Sequence, residues 1–283
     1  MNIFEKLFKD TEIPMLYPVE FSLPRGQIQR SQISELILDD IRKQQLENRI
    51  TPGMRIAVTA GSREITNIDQ IIKTVVDFIK DCGASPFIFP AMGSHGGATA
   101  EGQLEVLAGY GITEETMGCP ILSSMDTVQI STAPNGLPVH IDKYAAQADG
   151  IIPIGRIKPH TDFHGKYESG LMKMLTIGLG KQYGANLCHS LGMSNMPENI
   201  AAYAGEVLRL KNVIFGVGII EDAFHATYKL TVVPGERIAG DEPALLQEAK
   251  ALVPCIPFRK LDVLVLDEIG KDISGAGMDP NVT

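Results

Sequence analysis

The sequence predicts an α/β fold with a mainly parallel sheet and flanking helices, Rossmann-like in its N-terminal part. Three observations lead there. Short apolar runs alternate with amphipathic stretches. A glycine-rich or polar loop follows the early runs. The chain of 283 residues is 44% hydrophobic, ample for a large core. Repetition of strand, loop and helix in that order argues for a parallel sheet with helices packed on it. Ligands on such sheets bind at the carboxyl ends of the strands, which makes those loops the first place to look for a site.

The elements follow in order. Residues 17–23 read as β-like, and 31–47 as a helix on the stripe Ile33, Leu36, Ile37 and Ile41. An apolar run at 55–59, after Pro52-Gly53, reads as a buried strand and leads into the loop from Ser62. Ile71, Ile72, Val75, Val76 and Ile79 mark an amphipathic helix over 69–82, ended by Gly83. A strand at 86–90 precedes the loop Met92-Gly-Ser-His-Gly-Gly-Ala-Thr99, and a helix starts near Ala100. Residues 128–140 are β-like around a turn at Pro134-Asn135-Gly136, and 151–154 form a strand before a polar stretch. A mostly apolar segment at 170–179, a helix at 197–210, a strand at 213–217, a β-like stretch at 230–233, a helix at 242–252 and a strand at 261–266 complete the reading. Residues 1–260 are expected to form a catalytic domain. Residues 261–283 are expected to begin a second α/β domain, cut short on a glycine-rich loop.

Composition narrows the function. The net charge is −9 with no lysine- or arginine-rich run, which argues against nucleic acid or an anionic membrane as partner. No stretch reaches the roughly 20 apolar residues of a membrane span. The charged N-terminus has no apolar signal core, so a cytoplasmic protein is expected. Four cysteines without a CxxC give neither a disulfide framework nor a cysteine metal cluster.

The chemistry-bearing residues are few. Of six histidines, His95, His160 and His189 each follow a strand or apolar run within polar or glycine-rich surroundings. Singly, each reads as a structural or surface residue; with the lysines and glycines between them they read as a site. The segment 155–173 holds Arg156, Lys158, His160, His164, Lys166 and Lys173. Lys173 has only apolar near neighbours, so it either reaches out to the surface or is buried with a task. Burial favours the neutral amine, a nucleophile. Gly178-Leu-Gly180-Lys181 resembles a phosphate-cradling turn, although the Walker spacing is absent. His160 and His164 stand at i, i+4, a zinc spacing on a helix, but Pro159 and Gly165 oppose a helix there. No GxGxxG follows the first strand, which counts against a dehydrogenase with diffusible NAD(P). A non-catalytic nucleotide- or metal-binding protein would not need both His95 and His160.

As an ordered set these residues resemble the lactate racemase family, the nickel-pincer-nucleotide 2-hydroxyacid racemases and epimerases. The set comprises Ser62-Arg63, Gly93-Ser-His95, Pro159-His160, Ser169-Gly-Leu-Met-Lys173 and His189, sixteen residues beyond Lys173. The resemblance implies a pyridinium mononucleotide bound covalently to Lys173 and carrying nickel, with His189 as the protein's metal ligand. It implies His95 and a second histidine as alternating acid and base, with His160 and His164 competing for that role and His160 favoured because it follows Pro159, and Arg63 on the substrate. Ser62, Gly178 and Gly180 would lie on the cofactor; His164 and Lys271 would be minor substrate contacts. Proteins that make the cofactor would be partners. The stretch between His160 and Lys173 is longer than the family pattern, and Leu171 replaces a glycine. A 2-hydroxyacid larger than lactate fits that difference.

Overall fold

The computed structural model describes residues 17–270 and 277–283, together with Ile3, Lys6, Lys9 and Met15. Helix α1 (Ile33–Lys43) buries Ile33, Ile37 and Ile41, one stripe at four-residue spacing. Strand β1 (Arg55–Ala60) is buried after its first residue and leads to α2 (Ile68–Asp81). Strand β2 (Ser85–Pro90) pairs parallel with β1, Ala57 opposite Phe87. Helix α3 (Ala100–Gly109) follows, its N-terminus capped by Thr99, whose hydroxyl accepts from the Gly102 N–H. After the short α4 (Glu114–Met117) comes an antiparallel hairpin, β3 (Thr127–Thr132) with β4 (Pro138–Asp142), and then α5 (Lys143–Ala146).

The centre of the sheet is a single extended segment interrupted by a proline. Strand β5 (Gly150–Ile152) pairs parallel with β1, and β6 (Ile154–Arg156) pairs parallel with β7 (Phe215–Glu221). Pro153 between them brings no N–H to a ladder. The Thr59 hydroxyl accepts from the Ile154 N–H at 2.8 Å, and Val217 N–H donates to the Pro153 carbonyl at 2.9 Å. The strand orders β2-β1-β5 and β6-β7 therefore join at this proline. Strand β8 (Thr227–Pro234) is the antiparallel edge.

Both faces of the sheet are covered. Ile56, Val58 and Ile88 face the core shared with α1 and α2. Ala57, Phe87 and Phe89 face a second core with Leu171, Leu175, Leu179, Ile200 and Tyr203. That is why these strands read as continuous apolar runs rather than alternating ones. Each fully buried isoleucine contributes about 1.5–3 kcal/mol of apolar burial. The second layer is a helical run made of α6 (Leu171–Lys173), a π-helical turn (Met174–Gly178) and α7 (Leu179–Ser190). It packs beside α8 (Met196–Leu210) and α9 (Ile238–Ala251).

Two expected β segments form no strand. Residues 17–23 and 261–266 are irregular and largely exposed, Val263 by 77% and Val265 by 85%. Their β-branched and aromatic residues favour strands, but a strand needs a ladder partner, and neither has one among the described residues. Helix α9 begins at Ile238 rather than 242, with Pro243 inside it. Near the end of the chain, the Ile256 N–H donates to the Val282 carbonyl at 2.9 Å. Among the described residues, no helix is long and apolar enough to cross a membrane.

Candidate active site

Strands β1, β2 and the β5–β6 segment run parallel, so their carboxyl ends share one edge of the sheet. Three loops leave that edge. They carry Ser62 and Arg63, His95, and Lys158 with His160.

The first two loops are tied together. Tyr110, the residue after α3, donates its OH to the Ser62 carbonyl at 2.9 Å, and Ser62 Oγ lies 2.8 Å from His95 Nδ1. In the second loop, Gly96 has φ +62, and a Cβ there would stand 2.4 Å from the Gly102 carbonyl carbon. Only glycine allows that approach. Burial, and secondarily the charge of Arg63, lower the His95 pKa, so its imidazole is neutral at pH 7.

The third loop is closed at its neck by backbone hydrogen bonds between Lys158 and Ser169, at 3.0 and 3.2 Å. Its organiser is Glu168, whose side chain is wholly buried. Glu168 accepts from the His160 N–H at 2.7 Å and the Gly165 N–H at 3.2 Å, and pairs with Lys250 at 2.7 Å. Burial raises its pKa, but Lys250 and those N–H groups outweigh this and hold the carboxyl below its ordinary range.

His160 is bound on several sides. Its ring stacks on Phe163, centroids 4.1 Å apart. Its carbonyl accepts from Asn281 Nδ2 at 3.0 Å, which folds the end of the chain onto this loop. Its Nδ1 accepts from the Asp162 N–H at 3.0 Å. A backbone donor at Nδ1 leaves the neutral ring's proton on Nε2. Burial, then the charge of Lys173, push its pKa down to about 4.

Lys173 stands at the end of α6, directly before the π-helical turn, a feature frequent at functional sites. Its Nζ lies 5.3 Å from the centre of the Phe163 ring. Burial, reinforced by Arg63 and Lys158, pushes its ammonium down to about 8. His189, in the last turn of α7, has its pKa lowered by burial and then by Lys173. Burial, then Arg156, lowers Lys158 as well, with Arg63 adding to it.

One electrostatic neighbourhood therefore holds Arg63, His95, Lys158, His160, Lys173 and His189. Arg63 acts on both His95 and Lys173, and Lys173 acts on both His160 and His189. The arrangement offers neutral imidazoles, an amine that gives up its proton around pH 8, and cations for an anionic ligand. The remaining expected residues sit differently. His164 is 57% exposed and reaches Glu168 at 3.5 Å. Ser62 contacts His95. Lys271 lies outside the described residues.

The expected phosphate-cradling turn is instead part of the helical run. Gly178 and Gly180 are explained by packing: a Cβ on Gly178 would stand 2.5 Å from Met174 Sδ, and one on Gly180 2.9 Å from Tyr203 OH. Lys181 is fully buried, and its Nζ donates to the Pro90 carbonyl and Gln103 Oε1 at 2.5 Å each, so it is not available to an anion. Sequence reading passed over Phe163, Glu168 and Asn281. Phe163, a lone aromatic in a polar loop, was the one with a signal.

The chain matches the family model of the lactate racemase N-terminal domain over residues 8–200. The search of curated proteins gave no match. Among solved structures, the fold is similar to the lactate racemase apoprotein from Thermoanaerobacterium thermosaccharolyticum, at TM-score 0.59 and 18% identity. That likeness covers 80% of this chain and 58% of the other, so the chain spans little more than half of that protein. By its match over more than two thirds of its length, the chain belongs to the lactate racemase family, in which it corresponds to the N-terminal portion.

Proposed function

We propose that this chain is the cofactor-bearing part of a 2-hydroxyacid racemase or epimerase that works with a nickel-pincer nucleotide. The observation that carries the reading is Lys173: an amine held near pKa 8 whose charge reaches both His160 and His189. The donor set fits the cofactor. Lys173, half deprotonated near pH 8, would hold the group covalently, and the neutral imidazole of His189 would be a nitrogen ligand for its nickel. When bound, the group would supply a reversible acceptor for the C2 hydride, avoiding a carbanion beside a carboxylate.

The chain's own residues would do the rest. Arg63, with Lys158 nearby, attracts and orients the substrate carboxylate. His95 removes the hydroxyl proton at Nε2 as the C2 hydride leaves, which forms the keto acid. Its Nδ1–H would donate to Ser62 Oγ in both the neutral and the charged ring, so Ser62 keeps the reactive nitrogen aimed at the cleft. His160 turns an Nε2–H to the cleft. To give up that proton it must first take a second one from solvent at Nδ1, which releases the Asp162 N–H, so the two histidines are inequivalent. Once the keto acid has turned its other face to the group, the charged His160 would give its Nε2 proton to the substrate oxygen, completing inversion. Proteins that make the cofactor are the partners this reading implies, and its compartment the cytoplasm.

The test uses the whole protein loaded with cofactor. His95→Ala and His160→Ala should keep nickel and lose racemisation, whereas His189→Ala should lose nickel. Full racemisation by either of the first two variants would refute the two-base scheme.

A further inference from the structure

Lys181 is the most unusual residue that the proposed chemistry leaves unused. It sits midway between Lys173 and His189 on the same helical run. Its backbone has φ +56 and ψ −160, a region that only glycine adopts without strain, inside a helix. Such a conformation persists only where the surroundings hold it. Here they hold the side chain: the ammonium is buried and bonded to the Pro90 carbonyl, at the end of β2, and to Gln103 Oε1.

Gln103 is itself fully buried. Its other side-chain atom, Nε2, faces three carbonyls of one loop: Met92 at 3.3 Å, Gly93 at 3.0 Å and His95 at 3.4 Å. The lysine can only donate and the carbonyls can only accept, so the orientation of the amide is set. The loop it holds carries His95. The same loop packs on the run directly, since a Cβ on Gly93 would lie 3.4 Å from Ala185 Cβ.

We propose that Lys181 and Gln103 form a buried strut that fixes the His95 loop against the helical run bearing Lys173 and His189. Both are then positioning residues for the proposed reaction, and this assignment rests on that reading. A base on one loop and an acceptor anchored on a separate helix react only at a fixed separation. A misplacement of about 1 Å can cost roughly 100-fold in rate. Ammonium, amide and carbonyls in series connect the two bodies without any contact to the substrate.

Two variants and one measurement on the native protein test this. Gln103→Glu keeps an ionic partner for Lys181 but replaces a donor to three carbonyls with an acceptor that repels them. Lys181→Met removes the ammonium and keeps an unbranched stem of four atoms. In the cofactor-free chain, the NMR titration of His95 should move up toward the ordinary 6.5 as the loop loosens, while His160 and His189 stay in place. In the loaded protein, kcat should fall by roughly 100-fold with KM, nickel and the Lys173 adduct retained. An unmoved His95 titration in a folded variant would overturn the strut. In the native protein, the Gln103 side-chain amide protons should exchange with solvent as slowly as buried β2 amides. Exchange at the rate of an exposed glutamine would overturn it without any variant. A shifted His95 in a protein that proves to have no racemase activity would support the strut while removing the activity.

Discussion

Glu242 provides a stability test at the root of the site. It reaches from α9 to the start of α6, where Oε2 accepts from the Met172 N–H at 2.9 Å. Its Oε1 is buried without a hydrogen-bond partner among the described residues. The adjoining Gly170 makes room for it, since a Cβ there would stand 2.6–2.8 Å from the carboxyl atoms. Burial raises its pKa from the ordinary 4.5 to about 7, against the opposing pull of the Met172 and Leu171 N–H groups. Because the folded value lies above the unfolded one, the folded protein holds the extra proton between those limits. Stability is therefore lost as pH rises from 4.5 through about 7. The gap corresponds to about 3 kcal/mol once the group ionises in both states. Glu242→Gln mimics the protonated form at every pH. At pH 4, below both values, the variant and the native protein should melt together. At pH 8 the variant should melt higher by roughly 5–10 °C. Comparing variant with native protein cancels the histidines and lysines, which titrate alike in both. Calorimetry at the two pH values is the assay. Equal melting temperatures at pH 8 would show that Glu242 is not held protonated, and the account of this helix start would fail.

Further outcomes follow from the same geometry. Lys173→Ala should abolish the covalent cofactor mass in the intact loaded protein, while Lys166→Ala retains it; an adduct surviving on Lys173→Ala would move the attachment elsewhere. The nitrogen shifts of His160 should report a neutral ring protonated at Nε2, charging only near pH 4. A ring protonated at Nδ1 at pH 7 would contradict the Asp162 contact.

Much of the fold was legible because parallel strands buried on both faces leave continuous apolar runs. Ile56, Val58 and Ile88 serve one core, and Ala57, Phe87 and Phe89 the other. Lys173 was legible as a lone charge in an apolar stretch, and the histidine loops as polar segments after strands. What escaped were interactions between residues distant in sequence. Nothing near Glu168 announces Lys250, and nothing near Gln103 announces Lys181. The packing of the glycines at 178 and 180 escaped for a related reason. Their spacing resembles an anion-binding turn, but it reflects Met174 packed on Gly178 and Tyr203 on Gly180. Residues 17–23 and 261–266 have strand-forming side chains without a ladder to join, which composition alone does not reveal.

The central claim is that the C2 hydrogen travels as a hydride and never as a solvent-exchangeable proton. Its most direct test is racemisation, by the whole cofactor-loaded protein, of a 2-hydroxyacid carrying deuterium at C2, in ordinary water without added NAD. Chiral chromatography with mass detection reads configuration and label together. The account predicts inverted product that retains its deuterium. Inversion with loss of deuterium to water, or an absolute need for free NAD, would contradict it.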